Sequence, residues 1–272
     1  DYFTFDVNEK IAVGQSGKES AVRFQPKFSA ALSPFDKFPT SFYFNYGRGI
    51  SSQDARGIVK NPDSQKVSTT DFYQTGTAYN SQRFSFASSL FLIERSNEQV
   101  FIADDNTTEF AGPSLTYGLE LKTSARFTKW LSFNAGLTRV LQAFYKGTSP
   151  REFVSSAPHI VANASLIFTE LRGFNSSINW RHINSYRLDG FDDTIRAAGH
   201  DVVDFSVAKR LKKWVDLNFS IDNLLNKRYF ETQNYFESRL RPGDPVVARI
   251  HATPGYPFTI SVGLTFRIGA KN

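Results

Sequence analysis

The chain has 272 residues, of which 40% are hydrophobic and 15% aromatic, and its formal net charge is +6. It has no Cys, which excludes disulfides, thiolate catalysis and thiolate metal sites. No apolar run reaches the roughly 18 residues of a transmembrane helix. A basic charge favours acidic partners, but the one dense basic cluster, residues 209–213, falls at a predicted turn, so we predict no nucleic-acid binding.

Apolar and polar residues alternate along most of the chain with a period of two, which is typical of β-strands. No segment has a convincing helical period. About twelve strands are predicted, at 1–6, 22–33, 42–46, 73–79, 84–92 with 98–102 as its far end, 117–127, 131–137, 160–168, 174–180, 203–207, 215–221 and 258–268.

Short turns and long polar loops alternate between these strands. The short turns lie near residues 33–37, 80–82, 128–130, 170–173 and 212–214, and the long loops are 47–70, 103–109, 145–157, 187–199 and 226–255. In an antiparallel up-and-down barrel, this alternation places all turns at the periplasmic end and all long loops at the outer end.

The last strand, 258–268, is compatible with two all-β architectures. One face is wholly apolar, from Phe258 to Ile268, and the other is small and polar. The apolar face would meet a second sheet in a soluble sandwich, or lipid in a membrane barrel. Aromatic residues gather near both strand ends, as at Trp130 and Trp214 beside turns and Tyr46 and Tyr186 beside loops. Two such girdles match the two interfaces of a bilayer and favour a transmembrane barrel.

Several motifs in order along the chain resemble those of TonB-dependent outer-membrane receptors. They are Gln25-Pro-Lys-Phe-Ser29, Phe44-Asn-Tyr-Gly-Arg-Gly49, Tyr117-Gly-Leu-Glu-Leu121, Thr128-Lys-Trp-Leu-Ser132, Ile221-Asp-Asn-Leu-Leu-Asn-Lys-Arg-Tyr229 and Pro254-Gly-Tyr-Pro257. The strongest match runs from Val215 to Phe230 and includes the stretch 221–229. One departure concerns the ending. Members of this family usually end on an aromatic residue, whereas here six further residues follow Phe266.

This resemblance implies an active importer in the cell outer membrane. It implies a barrel of about 22 strands with an N-terminal plug in the lumen, so residues 1–272 would be the C-terminal portion of the barrel and the plug, the TonB box and the first strands would precede it. The implied partners are outer-membrane lipid and lipopolysaccharide, the barrel assembly machinery, the TonB–ExbB–ExbD complex, and a scarce nutrient. A ferric siderophore is the first expectation for that nutrient, ahead of cobalamin, an oligosaccharide or a peptide.

A second interpretation is a self-contained barrel of about twelve strands that acts as a passive porin, a translocator or an adhesin scaffold. An even strand number permits closure. This interpretation requires the first and last strands to pair with each other.

The longest loop carries the predicted ligand-binding residues. Arginine suits anionic oxygen ligands, and aromatic rings stack on flat ones. We therefore expect an anionic ligand to bind Arg239, Arg241, Arg249, His251 and Tyr235. The alternative is a surface loop whose aromatic residues anchor the bilayer interface.

Catalytic and metal signals are weak. The four His residues, 159, 182, 200 and 251, include no close pair of metal-ligand spacing, and no G-x-S-x-G motif occurs. The carboxylates of Asp189–Asp193, and of Asp104, Asp105 and Glu109, do not match a complete calcium loop. The sequence predicts no enzyme activity, no metal site and no cofactor.

Overall fold

A computed structural model describes residues 1–8, 16–52, 55–60, 65–97, 99–102, 107–110 and 112–268. Eleven strands form one antiparallel sheet, each pairing with its neighbour along the chain once the loop hairpins are set aside. These strands are β3 (Lys27–Leu32), β4 (Thr40–Ser52), β5 (Val67–Asn80), β6 (Phe84–Arg95), β9 (Ser114–Arg126), β10 (Leu131–Tyr145), β11 (Ile160–Leu171), β12 (Phe174–Ile183), β15 (His200–Lys212), β16 (Val215–Asp222) and β19 (Thr259–Phe266).

The remaining strands form four two-stranded hairpins, and the two strands of each hairpin are consecutive in the chain. They are β1 (Tyr2–Val7) with β2 (Gly17–Val22), β7 (Gln99–Ile102) with β8 (Thr107–Phe110), β13 (Tyr186–Arg187) with β14 (Arg196–Ala197), and β17 (Phe230–Ser238) with β18 (Val247–Pro254). A short helix, α1 (Ala55–Lys60), lies between β4 and β5. Among the described residues, no helix is both long and apolar enough to cross a bilayer.

The strand register places the apolar side chains on one face of the sheet. Leu217 lies opposite Leu264 and Phe219 opposite Val262, so the apolar rows of β16 and β19 coincide. This row is exposed along β19, and Val262 in its middle is 69% exposed. A row of exposed apolar side chains is what a lipid-facing barrel wall requires. The predicted sharing of one face by these residues is confirmed.

The opposite face is polar and is linked by side-chain hydrogen bonds between neighbouring strands. The Asn45 amide donates to Gln74 at 3.1 Å, and the Gln74 amide donates to Ser89 at 3.2 Å. Farther along the sheet, the Ser165 hydroxyl donates to Asn179 at 2.7 Å. These bonds bridge adjacent strands on the side that would line the lumen.

The aromatic girdle at the short-turn end is built from cross-strand pairs. The rings of Trp130 and Phe168 stack with centroids 6.2 Å apart, and those of Trp214 and Phe266 stack at 6.0 Å. Both tryptophans are among the exposed large side chains of the outer face and its turns. Indole rings favour the bilayer interface, so this arrangement fits the predicted membrane barrel.

The predicted all-β antiparallel barrel wall is confirmed, but four local predictions were wrong. Residues 1–6 belong to a loop hairpin, and the second predicted strand, 22–33, begins only at Lys27, as β3, because Val22 ends β2 of that hairpin. Residues 99–102 form a hairpin strand instead of extending β6, and one short helix occurs. The sheet therefore contains eleven strands where we expected about twelve.

The first hairpin was mistaken for a wall strand because its alternation has another cause. Phe5 and Ala21 are buried against Ile58 of α1 and Val67 at the start of β5. The alternating face of β1 therefore packs on a helix at the long-loop end of the sheet, and Lys66 forms an ion pair with Glu19 at 2.6 Å beside it. Sequence periodicity reports that a face is buried, but not what covers it.

The two edge strands of the eleven-stranded sheet are β3 and β19. Within the described residues, β3 pairs with β4, β19 pairs with β16, and these edges do not pair with each other. The sheet is thus an open wall, and the pairing that a self-contained barrel requires is absent from the described part of the chain.

The outward row of β19 yields a stability prediction. In the full-length barrel refolded into lipid vesicles, Val262→Arg should lower the free energy of unfolding by about 2–4 kcal/mol, because Val262 lies midway along the strand and a cation near the bilayer midplane is costly. Ser261→Arg, one residue away on the polar face, serves as the control and should cost much less. Equal losses in denaturant titrations of the two variants would contradict the assignment of the faces.

Candidate ligand-binding site at the long-loop end

The β17–β18 hairpin carries all the predicted ligand-binding residues, and its register divides them between its faces. Phe236 lies opposite Arg249, and Asn234 lies opposite His251. Since side chains alternate along a strand, Arg249 and His251 share one face, whereas Tyr235 belongs to the other. The structure thus brings two of the five predicted residues together on one face of the hairpin.

A stacked pair of rings and a guanidinium group define this face. The rings of Phe236 and His251 are parallel within 7°, with centroids 3.9 Å apart, and His251 Nε2 lies 2.9 Å from the Ser238 hydroxyl. Arg249 is half-buried, and its buried Nη1 has no hydrogen-bond partner among the described residues. A buried N–H group without an acceptor is costly. This face therefore combines a cationic donor that lacks an acceptor within the described part of the chain with a stacked pair of rings.

Two further predicted arginines lie at the tip of the hairpin. Arg239 follows the last residue of β17, and Arg241 begins the turn, where its carbonyl accepts a hydrogen bond from the Asp244 N–H at 3.1 Å. Both side chains are exposed. Ser238, at the end of β17, lies opposite Val247, at the start of β18. Arg239 and Arg241 therefore lie at the same end of the hairpin as Arg249.

The opposite face of the hairpin holds it against the neighbouring loop. Tyr235 packs on a buried cluster of Tyr186, Leu188 and Ala197. The Gln233 side chain is buried, and it both accepts from the N–H of Ala198 at 3.2 Å and donates to its carbonyl at 2.9 Å. This double hydrogen bond extends the backbone pairing pattern and ties the hairpin to the loop before β15.

A charged cluster below the hairpin was not predicted as a unit. Arg181 Nε lies 3.4 Å from an Asp204 oxygen, and Arg181 Nη1 lies 3.7 Å from Glu231 of β17. The buried ring of His200 lies 4.7 Å from the Tyr229 ring. These residues come from β12, β15 and the long loop, so only the strand pairing brings them together. Their alternation identifies the polar face, but their spacing in sequence gives no signal of a shared cluster.

The motif at 221–229 has a structural role at the base of this hairpin. Asn223 is almost fully buried with φ 52°, and its side-chain amide donates to the carbonyls of Lys227 at 2.8 Å and Tyr256 at 2.9 Å. Asn is one of the few residues that tolerates this left-handed conformation. These hydrogen bonds close the loop on itself and fix the point where the chain returns to β19.

Glycine 255 completes the same base for steric reasons. A Cβ atom at Gly255 would lie 2.2 Å from the Tyr229 ring, and the Gly255 N–H donates to the Tyr229 carbonyl at 2.9 Å. No larger residue fits at this close approach. The two motifs at 221–229 and 254–257 therefore form one substructure, although they lie far apart in the sequence.

The weaker sequence candidates are involved in local contacts. In the loop 187–199, Asp189 accepts from the N–H groups of Phe191 and Asp192, and Asp193 pairs with Arg187 and Arg196. Burial lowers the pKa of the His159 imidazole, and the guanidinium groups of Arg187 and Arg196 lower it further.

No group of three potential metal ligands occurs in the described part of the chain. Asp104 and Asp105 lie outside the described residues.

The sequence matches the family described as "TonB dependent receptor-like, beta-barrel" over residues 1–224. No curated protein sequence matches the chain. The fold resembles the ferric yersiniabactin uptake receptor FyuA from Yersinia pestis, at 16% identity and a TM-score of 0.71, over 93% of this chain and 38% of that one.

Two further solved structures are similar in fold. The siderophore receptor PiuA from Acinetobacter baumannii is 17% identical with a TM-score of 0.71, over 96% of this chain and 38% of that one. The copper transporter OprC is 19% identical with a TM-score of 0.69, over 94% and 42%. The chain thus spans about two-fifths of the length of these structures.

An antiparallel wall with an apolar outer face, a polar inner face and turns and loops at opposite ends defines an outer-membrane β-barrel protein. Together with the sequence match, it places the chain in a particular family: the chain belongs to the TonB-dependent receptors, as its motifs predicted.

The Gln233 contacts yield a prediction about the placement of the hairpin. Gln233→Glu keeps the size of the side chain but replaces its donor with an oxygen, which faces the Ala198 carbonyl. Losing this buried hydrogen bond should destabilise the hairpin locally by about 1–3 kcal/mol. Hydrogen exchange of the β17–β18 amides in the full-length receptor should therefore accelerate. Glu237→Gln, an exposed change in the same hairpin, should leave exchange unaltered, and equal acceleration in both variants would contradict the role of Gln233.

Proposed function

We propose that this chain is the C-terminal part of the barrel of an active outer-membrane importer. In the complete receptor, about 22 strands would surround an N-terminal plug, and the TonB–ExbB–ExbD complex would supply energy through that part. Family membership and the open eleven-stranded wall support this proposal. The resembling solved structures carry names of receptors and transporters, which supports transport over enzyme activity.

The observation that carries the proposed ligand site is the unpaired guanidinium N–H of Arg249 beside the Phe236–His251 stack. The oxygens of an anionic, planar ligand would supply the missing acceptor through charge-assisted hydrogen bonds, and its ring would continue the stack. Arg239 and Arg241 at the exposed tip would attract the same ligand before it reaches Arg249. Tyr235, on the packed face, would act by holding the hairpin.

A ferric siderophore is the ligand class that best fits these residues, because many are anionic and aromatic. Among the similar structures are receptors named for ferric yersiniabactin and for siderophores, and another is named a copper transporter. Copper in its reduced state favours thiolate and thioether ligands. This chain contains neither Cys nor Met, so its own residues favour the siderophore.

The competing proposal is a passive barrel of porin, translocator or scaffold type. Such a barrel needs a closed wall, and the described edges β3 and β19 do not pair. The hairpins among the long loops, which carry charged side chains such as Arg249 and Glu231, also support ligand recognition over free diffusion.

Binding by the full-length receptor to a panel of radiolabelled ferric catecholate, hydroxamate and mixed siderophores tests the proposed site. Arg249→Ala should weaken binding of the best ligand about tenfold or more, since a hydrogen bond between charged groups contributes about 1.5–3 kcal/mol. Arg249→Lys should recover only part of this loss, because Lys lacks the planar, forked donors. The triple change of Arg239, Arg241 and Arg249 to Ala should weaken binding further.

Arg228→Ala is the matched control, because Arg228 is exposed in the same long loop but lies outside the hairpin. It should bind like the unaltered receptor. Wild-type affinity in the triple variant, with the barrel folded, would refute the site. Uptake that persists after loss of the TonB complex would instead refute active import.

A further inference from the structure

The positive charge of the chain is concentrated at the short-turn end of the wall. The turns and the strand residues next to them contain ten basic and three acidic residues, a net charge of +7. The rest of the chain contains 22 basic and 23 acidic residues, a net charge of −1. The segments counted are 33–39, 80–85, 124–132, 168–176, 207–217 and 264–268. The whole excess of cations over anions therefore lies at one end, although the basic residues look scattered in the sequence.

Few of these cations are neutralised by a carboxylate. Asp216 pairs with both Arg210 and Arg267 on the polar face. The Glu170 carboxylate accepts from the Asn175 amide within its own turn at 3.3 Å. Within the described part of the chain, no carboxylate pairs with the basic groups that remain. They are Lys37, Arg83, Arg126, Lys129, Arg172, Lys209, Lys212 and Lys213.

A β-bulge directs two of these lysines to the outer face of the wall. Lys209 lies opposite Leu217, which belongs to the outward apolar row. Regular alternation would turn Lys212 inward, but the register shifts between Arg210 and Lys212, and Lys212 lies opposite Val215, which is also in the outward row. Leu211 is the inserted residue. Bulges commonly redirect a side chain in this way.

Aromatic side chains accompany the outward lysines. The Lys209 ammonium lies 4.3 Å from the centre of the Phe174 ring. Trp214, next to Lys213, is 51% exposed and stacks on Phe266. This cluster of Phe174, Lys209, Lys212, Lys213 and Trp214, which we term the basic rim, combines cations with rings that favour the bilayer interface.

We propose that the basic rim binds the phosphodiester head groups of anionic phospholipids in the periplasmic leaflet of the outer membrane. The inference rests on the outer-membrane location of the family, but not on the proposed import or its ligand. Lys209 and Lys212 project from the lipid-facing side, level with an aromatic girdle, and Lys213 lies in the adjoining turn, where head groups are the available anions. Their long apolar stems can lie along the wall while the ammonium groups reach the interface.

An acidic periplasmic polymer, such as the peptidoglycan, is the competing partner. A docking surface for it would be expected on the turns alone, facing away from the bilayer. The bulge at Leu211 argues for lipid, because it places Lys212 on the outward side of the wall together with Lys209.

The test uses full-length receptor in vesicles of zwitterionic phospholipid that contain trace spin-labelled phosphatidylglycerol or phosphatidylethanolamine. Electron paramagnetic resonance then gives the association of each labelled lipid with the protein. The unaltered receptor should prefer phosphatidylglycerol, and higher ionic strength should weaken this preference. Changing Lys209, Lys212 and Lys213 to Gln should lower the preference at least about fivefold. One lysine near an anionic surface contributes about that factor, so fivefold is the lower bound for the loss of three.

The matched control changes Lys18, Lys27 and Arg228, exposed at the long-loop end, to Gln. It removes the same charge and should keep the preference. No preference in the unaltered receptor, or the same preference in the basic-rim variant, would overturn the proposal. Co-sedimentation with purified peptidoglycan that the basic-rim variant loses, without any change in lipid preference, would assign the rim to the cell wall instead. Siderophore binding, measured in parallel, should be the same in all three proteins.

Discussion

Pairing of the backbone between strands is the constraint on which the rest of this structure depends. In hydrocarbon, an unpaired N–H or carbonyl costs several kcal/mol, so a β-structure can cross a bilayer only as a hydrogen-bonded wall. Nine of the eleven strands are paired on both sides in one antiparallel sheet, and the edge strands β3 and β19 are paired on one side within the described residues. The ladder fixes the register, and the register assigns Val262 and Leu264 to the outer face and Asn218 and Thr265 to the inner one. The two chemical environments of the protein follow from that single assignment.

The wall was predictable because its strands carry the alternation of apolar and polar residues that an outer and an inner face require. The alternation of β16 and β19 identified both faces correctly, and the turn lengths identified both ends. The same reasoning failed at β1 because Phe5 is buried under α1 by Ile58, which produces an alternating pattern without lipid. It also missed the hairpins above the wall, because their buried contacts come from other loops. A period of two cannot distinguish these environments.

The candidate site was predictable in composition but not in arrangement. The concentration of arginines and aromatic residues in the longest loop was visible, whereas their division between the two faces of the hairpin required the register. Tyr235 shares a buried cluster with Tyr186, some fifty residues earlier, and Gln233 binds the backbone of Ala198. Asn223 likewise joins Lys227 to Tyr256. Contacts at such separation leave no local signal in a single sequence.

The two ends of the wall differ in net charge and in the carboxylate partners of their cations. At the long-loop end, several cations pair with nearby carboxylates, as for Arg181 with Asp204 and Arg187 with Asp193, and these pairs order the loops. The turns at the other end are too short to fold on themselves and supply few internal partners. On our proposal, their cations pair with lipid head groups outside the chain. A wall whose excess positive charge lies at one end would be oriented in its membrane by electrostatics as well as by its apolar band.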